Sequence, residues 1–393
     1  MLYAGPIFVY SLTMTLSKNK LTVLLLLALQ FISALSMSMV YSLAPTIAAA
    51  FQMPASNAPF LNIGFVSAGL LSPVFGVWAD KQGTKKVLII GSLIFTLGHG
   101  LGAISNSIGI YFTARLLVGL GYSAILGLTV SYLSKLLHHD RMGSVSAYLK
   151  LAFALGVFVA PIMAATVVQW LGFQSLYVCF TVISVFLSIG LILIPDVRIK
   201  HGDHVTMEEV KTLFRNKSFW YFMGVSLATS LPGVLFFNFL SVYLNELGYA
   251  QSMISAVYSL AGMGTIASAF VILWLNQRFG MIRLFRYGLY LTLFGLLPML
   301  FFNPILLFIA TAVFALGYDT IVGLINPVLA MEYPRHSGTV IMMISLLGAV
   351  YGTLTNVFGP ALYGSLGFPG LMVIGIAGTL LGTLSLQRAL KRV

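Results

Sequence analysis

The sequence predicts an all-α integral membrane protein whose twelve transmembrane helices form two six-helix bundles related by pseudo-twofold symmetry. Three observations predict it. Of 393 residues, 59% are hydrophobic and only 8% are charged, against roughly 25% charged in ordinary soluble domains. Twelve apolar stretches reach the length a helix needs to cross the hydrocarbon, which is about 20 residues. Three segments of the first half recur in the second at nearly one spacing, as expected of transporters assembled from repeated bundles.

The apolar stretches run near 21–50, 58–79, 86–106, 108–137, 144–170, 173–195, 219–246, 251–275, 284–302, 304–331, 339–362 and 365–386, and are numbered spans 1 to 12 in that order. The longest polar segment, "DVRIKHGDHVTMEEVKTLFRNKS", lies midway along the chain. The expected organisation is therefore an N-terminal segment 1–20, a first bundle 21–195, a linker 196–218, a second bundle 219–386 and a tail 387–393. Within the linker, Thr206 and Glu209 have capping-box spacing, which favours a short surface helix around 207–215; a plain linker is the other reading. The opening "MLYAGPIFVYSLTM" lacks a basic start and is too short to span, so it fits neither a signal peptide nor a crossing helix. Residues 1–13 are expected to be dispensable, with Met14 the more natural start.

Charge sets the orientation, because Lys and Arg near span ends stay on the cytoplasmic side. With both termini cytoplasmic, the tails, the loops after even-numbered spans and the adjoining span ends hold 19 of the 21 Lys and Arg residues. The other two, Arg115 and Lys150, fall inside spans. The net charge of +12 is thus a topology signal for a multi-pass protein of the inner (cytoplasmic) membrane. No nucleic-acid partner is expected, since clustered soluble basic surface is absent. The single cysteine, Cys179, excludes an internal disulfide and a cysteine metal cluster. There is no HExxH, no phosphate-binding Gly-rich loop with Lys-Ser/Thr, and no ligand pattern around His138 and His139, so neither an enzyme nor a metal or cofactor site is expected. No ATP-binding domain is present either, which leaves an ion gradient or the substrate's own gradient as the energy source.

The internal repeat is specific. "LGYSAILGL" at 120–128 and "LGYDTIVGL" at 316–324 agree at six of nine positions. "DRMGS" at 140–144 aligns with "RHSGT" at 335–339, and "ADKQGTKK" at 79–86 with "NQRFGMIR" at 276–283.

"GVWADKQGTKK", Gly76 to Lys86, resembles the signature loop between the second and third spans of the major facilitator superfamily, with Thr84 at a position usually basic. The resemblance implies a cytoplasmic gate formed by Gly76, Asp80, Lys81, Gly83, Lys85 and Lys86. There Gly76 would allow close helix approach, Gly83 a tight turn, and Asp80 would pair with a base or helix N-terminus. An ordinary turn carrying positive-inside charge is the plainer reading. "RLLVGLG" in span 4 resembles the family's second motif, which implies a part in proton coupling for Arg115; bonding to backbone carbonyls of span 1 is the alternative. "ALGVFVAPIMAA" at 154–165 resembles the antiporter motif. Gly156, Ala160 and Pro161 keep its small face and proline, with Ala at three positions where Gly is expected. Gly359 and Pro360 in span 11 form a symmetry-related counterpart. "YSLAPTIAAAF" at 41–51 resembles the end of span 1 in bacterial twelve-span drug and metabolite exporters.

Against this background Asp319 stands out, since it is the only one of nine acidic residues placed deep in a span. Its repeat counterpart is Ser123, so the fold itself does not demand a carboxylate. An ionisable residue at membrane depth is a functional candidate by default. Desolvation and neighbouring charge act oppositely on a carboxyl, so an aspartate facing alternately opened sides can load and release a proton. The structural alternative is permanent hydrogen bonding to Tyr122 or Tyr318. Beside Asp319, the spans that line the cavity in this family also offer Gln30, Tyr41, Tyr122, Asn238, Tyr243, Tyr318 and Asn326 as substrate contacts, and Lys150 in span 5 offers a positive charge. Span 1 carries Gln30 and no carboxylate. With two cations in one half and Asp319 in the other, a zwitterionic or carboxylated metabolite fits better than a lipophilic cation. The expected activity is proton-coupled export of a small organic molecule by alternating access, in a monomer embedded in the bilayer. Import by symport, facilitated diffusion and lipid flipping are the alternatives.

Overall fold

The computed structural model describes residues 18–136, 139–197, 215–301, 303–333 and 337–390. The N-terminal stretch and, apart from Arg215, the surface helix expected in the linker lie outside them. Every described element is helical, because a chain crossing hydrocarbon must satisfy each backbone N–H and C=O within itself.

Span 1 is Lys18–Ala50. Span 2 is assembled from 3-10 and α segments, Ala55–Asn62, Ile63–Ser67, Ala68–Leu71 and Ser72–Gln82. Spans 3 to 6 are Thr84–Ala103, Ile108–Leu136, His139–Leu171 and Phe173–Leu193. Spans 7 and 8 are Lys217–Glu246 and Gln251–Phe279. Span 9 is Met281–Leu296, continued by the 3-10 turn Leu297–Leu300, and span 10 is Pro304–Glu332. Local chemistry sets some of these starts. The Asn303 side chain accepts from the N–H groups of Ile305 and Leu306 while Pro304 takes the first helical position, where its missing donor costs nothing.

Among the described residues ten helices are long and apolar enough to cross a membrane, and the geometry turns ten into twelve. Span 9 has only 16 α-helical residues and reaches crossing length through its 3-10 extension. Ser337–Leu390 is too long for one crossing and breaks at Gly367 (φ 65°, ψ −178°). Up to the break, Gly348, Gly352 and Gly359 meet Ser230, Val234 and Phe239 in rising order. After it, Gly375, Gly378 and Gly382 meet Pro232, Leu231 and Ala228 in falling order. Spans 11 and 12 therefore run in opposite directions along span 7.

The repeat is repeated in three dimensions. Gly83 and Gly280, paired in the sequence alignment, both carry positive φ (97° and 78°) and both open a helix. Gly172 and Gly367 form a second such pair, at the turns after spans 5 and 11. Gly121 lies against Gly91 O where spans 3 and 4 cross, and Gly317 lies against the Thr292 and Leu291 backbone where spans 9 and 10 cross. No side chain fits at either crossing.

The bundles meet along two seams. Span 5 packs on span 8, with Gly262 seated on the Phe158 backbone. Span 2 packs on span 11 only through its first half, where Gly69 faces Ala349 and Val66 faces Gly352. Its second half, Ser72–Gln82, packs on spans 3 and 4 and has no extensive contact with the second bundle. Among the described residues the seam between spans 2 and 11 is therefore closed on the side away from the basic loops and open on the basic side.

Candidate functional site

Asp319 sits about midway along span 10 and is only partly buried. Its Oδ2 accepts a hydrogen bond from Thr265 Oγ1 of span 8 at 2.5 Å. Neither tyrosine named from the sequence is its partner. Tyr318 turns away, donates to Thr229 O at 3.1 Å and stacks on Phe314 at 5.4 Å. Tyr122 points its hydroxyl at Met37 Sδ, 3.1 Å away, and packs on Phe65. Consecutive helical residues diverge by about 100°, so the neighbours of Asp319 in sequence are not its neighbours in space.

Lys150 reaches from span 5 to span 10 about one helical turn from this carboxylate. Its Nζ is buried without a hydrogen-bond partner and lies against the Cα of Gly323, with Ile272 beside it. A Cβ on residue 323 would occupy the amino group's place. Gly323 is four residues beyond Asp319, one helical turn or about 6 Å along the axis. Lys150 and Asp319 form no ion pair.

Arg115 is elsewhere. Its side chain is fully buried in the first bundle, where Nη2 donates to Asn62 Oδ1 at 2.6 Å and Cζ lies 4.4 Å from the Phe65 ring centre. Its Nε and Nη1 have no hydrogen-bond partner among the described residues. The backbone carbonyls of span 1, the alternative partner, do not hold it; Asn62 of span 2 does, because the 3-10 turn ending there brings a side-chain amide to the guanidinium. The arginine lies eight residues nearer the closed side than Ser123, the counterpart of Asp319, about 12 Å in depth. The structure does not bring Arg115 and Asp319 together.

The other candidates separate by surroundings. Gln30 is partly buried with Oε1 unpartnered. Tyr41 meets Phe237 of the second bundle with ring centres 5.9 Å apart. Asn238 is buried and turns back to Val234 O at 2.9 Å, and Tyr243 stacks on Phe368 at 4.7 Å near the closed side; both serve helix packing here. Asn326 is exposed.

In the loop after span 2, Gly83 makes the expected turn at φ 97°. Lys85 Nζ donates to Ile192 O and Ile194 O, at 2.8 and 2.6 Å, capping the end of span 6, and Lys86 donates to Gln82 Oε1 at 2.7 Å. Two expectations differ from this arrangement. Gly76 has no atom within 4 Å of where a Cβ would stand, and Asp80 and Lys81 are exposed, Asp80 without a partner among the described residues. Both follow from the separation of the bundles on the basic side. In span 5, Gly156 permits contact with Phe31 O and Ala34, Ala160 is buried, and the helix continues through Pro161. In span 11, Gly359 makes room for the Phe239 ring, next to Pro360.

Of three further features, Gln251 and the cleft between spans 5 and 8 were not singled out in the sequence, whereas His99 is visible there as a histidine inside a span. Gln251, which opens span 8, donates through Nε2 to Ser42 O at 3.0 Å and accepts from Thr46 Oγ1 at 2.8 Å, bonding the two bundles on the closed side. His99 is wholly buried, with Nδ1 2.8 Å from Phe95 O and Nε2 2.7 Å from Ser36 Oγ. Because a carbonyl only accepts, Nδ1 carries the proton and Ser36 donates to Nε2. A cleft of about 470 Å³ opens between spans 5 and 8, lined by Phe158, Ile162, Ser255, Ser259 and Met263 among others; neither Asp319 nor Lys150 lines it.

A sequence profile of the Major Facilitator Superfamily matches residues 26–355. Multidrug resistance protein 1 of Bacillus subtilis is 22% identical over 361 residues, 89% of this chain and 91% of its own. The sialic acid transporter NanX of Escherichia coli is 22% identical over 255 residues, 62% of this chain and 61% of its own. The crystal structure of a D-xylose-proton symporter superposes with a TM-score of 0.78 at 13% identity, covering 95% of this chain and 98% of that one.

Proposed function

Because the chain belongs to the Major Facilitator Superfamily and is a transporter rather than an enzyme, we propose that it exports a small organic molecule across the cytoplasmic membrane in exchange for protons. The basic side is then cytoplasmic, with both termini, and the structure is the inward-open state. The observation that carries the reading is Asp319, a carboxylate at membrane depth whose one hydrogen bond comes from a neutral hydroxyl on the neighbouring helix. A group held so lightly, between two bundles parted on one side, meets each compartment in turn as the bundles rock. A carboxylate committed to an ion pair would not exchange its proton so readily.

Export is favoured over uptake by the small-residue face of span 5, where Gly156 packs on span 1, and by the relative named for multidrug resistance that matches nearly the whole chain. The relative named as a sialic acid transporter keeps acidic metabolites among the cargo classes. The protein works as a monomer, each chain holding one such site.

The test uses everted membrane vesicles energised to an acid interior while a pH-sensitive dye is followed and cell metabolites and antimicrobial compounds are added. Substrate-dependent proton efflux is expected with the natural chain and is lost in Asp319→Asn, which stays folded in the membrane. Unchanged proton efflux in Asp319→Asn would refute the role of the carboxylate.

A further inference from the structure

We propose that the Lys150 ammonium, seated on Gly323 one helical turn from Asp319, is the docking point for an anionic group of the transported molecule, so that the cargo is a carboxylate or zwitterion. The assignment rests on the transport reading above and deepens it.

Four observations carry it. Lys150 Nζ is buried and accepts no role in the fold's hydrogen bonding, although an unpaired buried ammonium is costly and persists only where something repays it. It belongs to the first bundle but lies on a helix of the second, where a docked group would touch both moving bodies. The repeat requires neither charge of the pair. At the spacing that matches Ser123 with Asp319, Lys150 matches Leu346, so two opposite charges have been placed on opposite bundles and brought within a turn of one another. Finally, Gly127, the repeat equivalent of Gly323, faces open space, while the space over Gly323 is filled by the Lys150 amino group.

The other intramembrane cation does not compete for this role. Arg115 is sealed in the first bundle by Asn62 and Phe65. An anion approaching Asp319 from the open side therefore meets Lys150. A zwitterion would set its carboxylate on Lys150 and its ammonium toward Asp319. A simple carboxylate would use Lys150 while Asp319 carries a proton. A purely cationic compound would face the uncompensated ammonium, a repulsive element against it.

The experiment loads everted and right-side-out vesicles with a defined mixture of amino acids, hydroxy acids and aromatic acids together with their neutral amides and cationic amines. Accumulation is read by mass spectrometry for the natural chain, Lys150→Met and Gly323→Ala. Methionine keeps the length of the side chain without its charge, and the Gly323→Ala methyl displaces the amino group. The natural chain is expected to accumulate compounds bearing a carboxylate over their amides and amines. Lys150→Met should lower that accumulation about tenfold or more, as for loss of a hydrogen bond to a charged group, and Gly323→Ala should lower it in the same direction. Because an unpaired buried charge is removed, the melting temperature of Lys150→Met in detergent should hold or rise, whereas a bracing lysine would lower it.

Preferential accumulation of amides or amines by the natural chain, or acids carried at the natural rate by Lys150→Met, overturns the Lys150 assignment and leaves transport standing. A fallen melting temperature in Lys150→Met with all compounds lost alike overturns it in favour of a structural role. No accumulation in either vesicle orientation removes the transport reading and this assignment with it.

Discussion

Replacing Gln251 by alanine removes the side chain that ties the bundles together on the side away from the basic loops. Two hydrogen bonds cross between bundles there, Gln251 Nε2 to Ser42 O at 3.0 Å and Thr46 Oγ1 to Gln251 Oε1 at 2.8 Å. A third, to Ser255, stays within span 8 and does not bear on the opening. Interhelical hydrogen bonds in membrane proteins contribute about 0.6 kcal/mol each on average, so losing two destabilises the closed arrangement by about 1.2 kcal/mol. That corresponds to a shift of about eightfold toward structures open on this side. Spin labels at Ala50→Cys and Ala250→Cys, both exposed near the ends of the two helices, placed in a Cys179→Ser background, read the separation by pulsed electron resonance. The expected result is a longer-distance population that grows in Gln251→Ala at unchanged melting temperature. An identical distance distribution in the two proteins would refute the assignment of these bonds to closure.

Asn62→Ala removes the amide oxygen that accepts from Arg115 Nη2 and leaves the Phe65 ring over the guanidinium; the loss of a hydrogen bond to a charged group is about 2 kcal/mol. A lowered melting temperature in detergent is expected, restored by Asn62→Asp, which supplies a charged acceptor. Gly76→Ala places a methyl in open space and should hold or raise the melting temperature, by up to about 1 kcal/mol of helix propensity. Gly121→Ala is the contrasting case, because its methyl would collide with Phe95 and with Gly91 O, and a clear fall in melting temperature checks the packing of spans 3 and 4.

Much of the architecture is legible in residue order, since hydrocarbon length, backbone satisfaction and the side preference of Lys and Arg act on composition alone. The spacing of "ADKQGTKK" and "NQRFGMIR" already pairs Gly83 with Gly280, and both proved to hold the left-handed backbone that a side chain disfavours. Asp319 is conspicuous for the same kind of reason, being charged where its repeat equivalent is not. What surrounds it is a different matter. Thr265 rather than a tyrosine holds the carboxylate, Asn62 rather than span 1 holds Arg115, Gln251 bonds the bundles together, and Gly323 seats Lys150. In lipid, helices carry apolar residues on every face and associate through small residues and local fit. No hydrophobic stripe in the sequence therefore tells which way a polar side chain turns, and only the packing of the spans decides which groups meet.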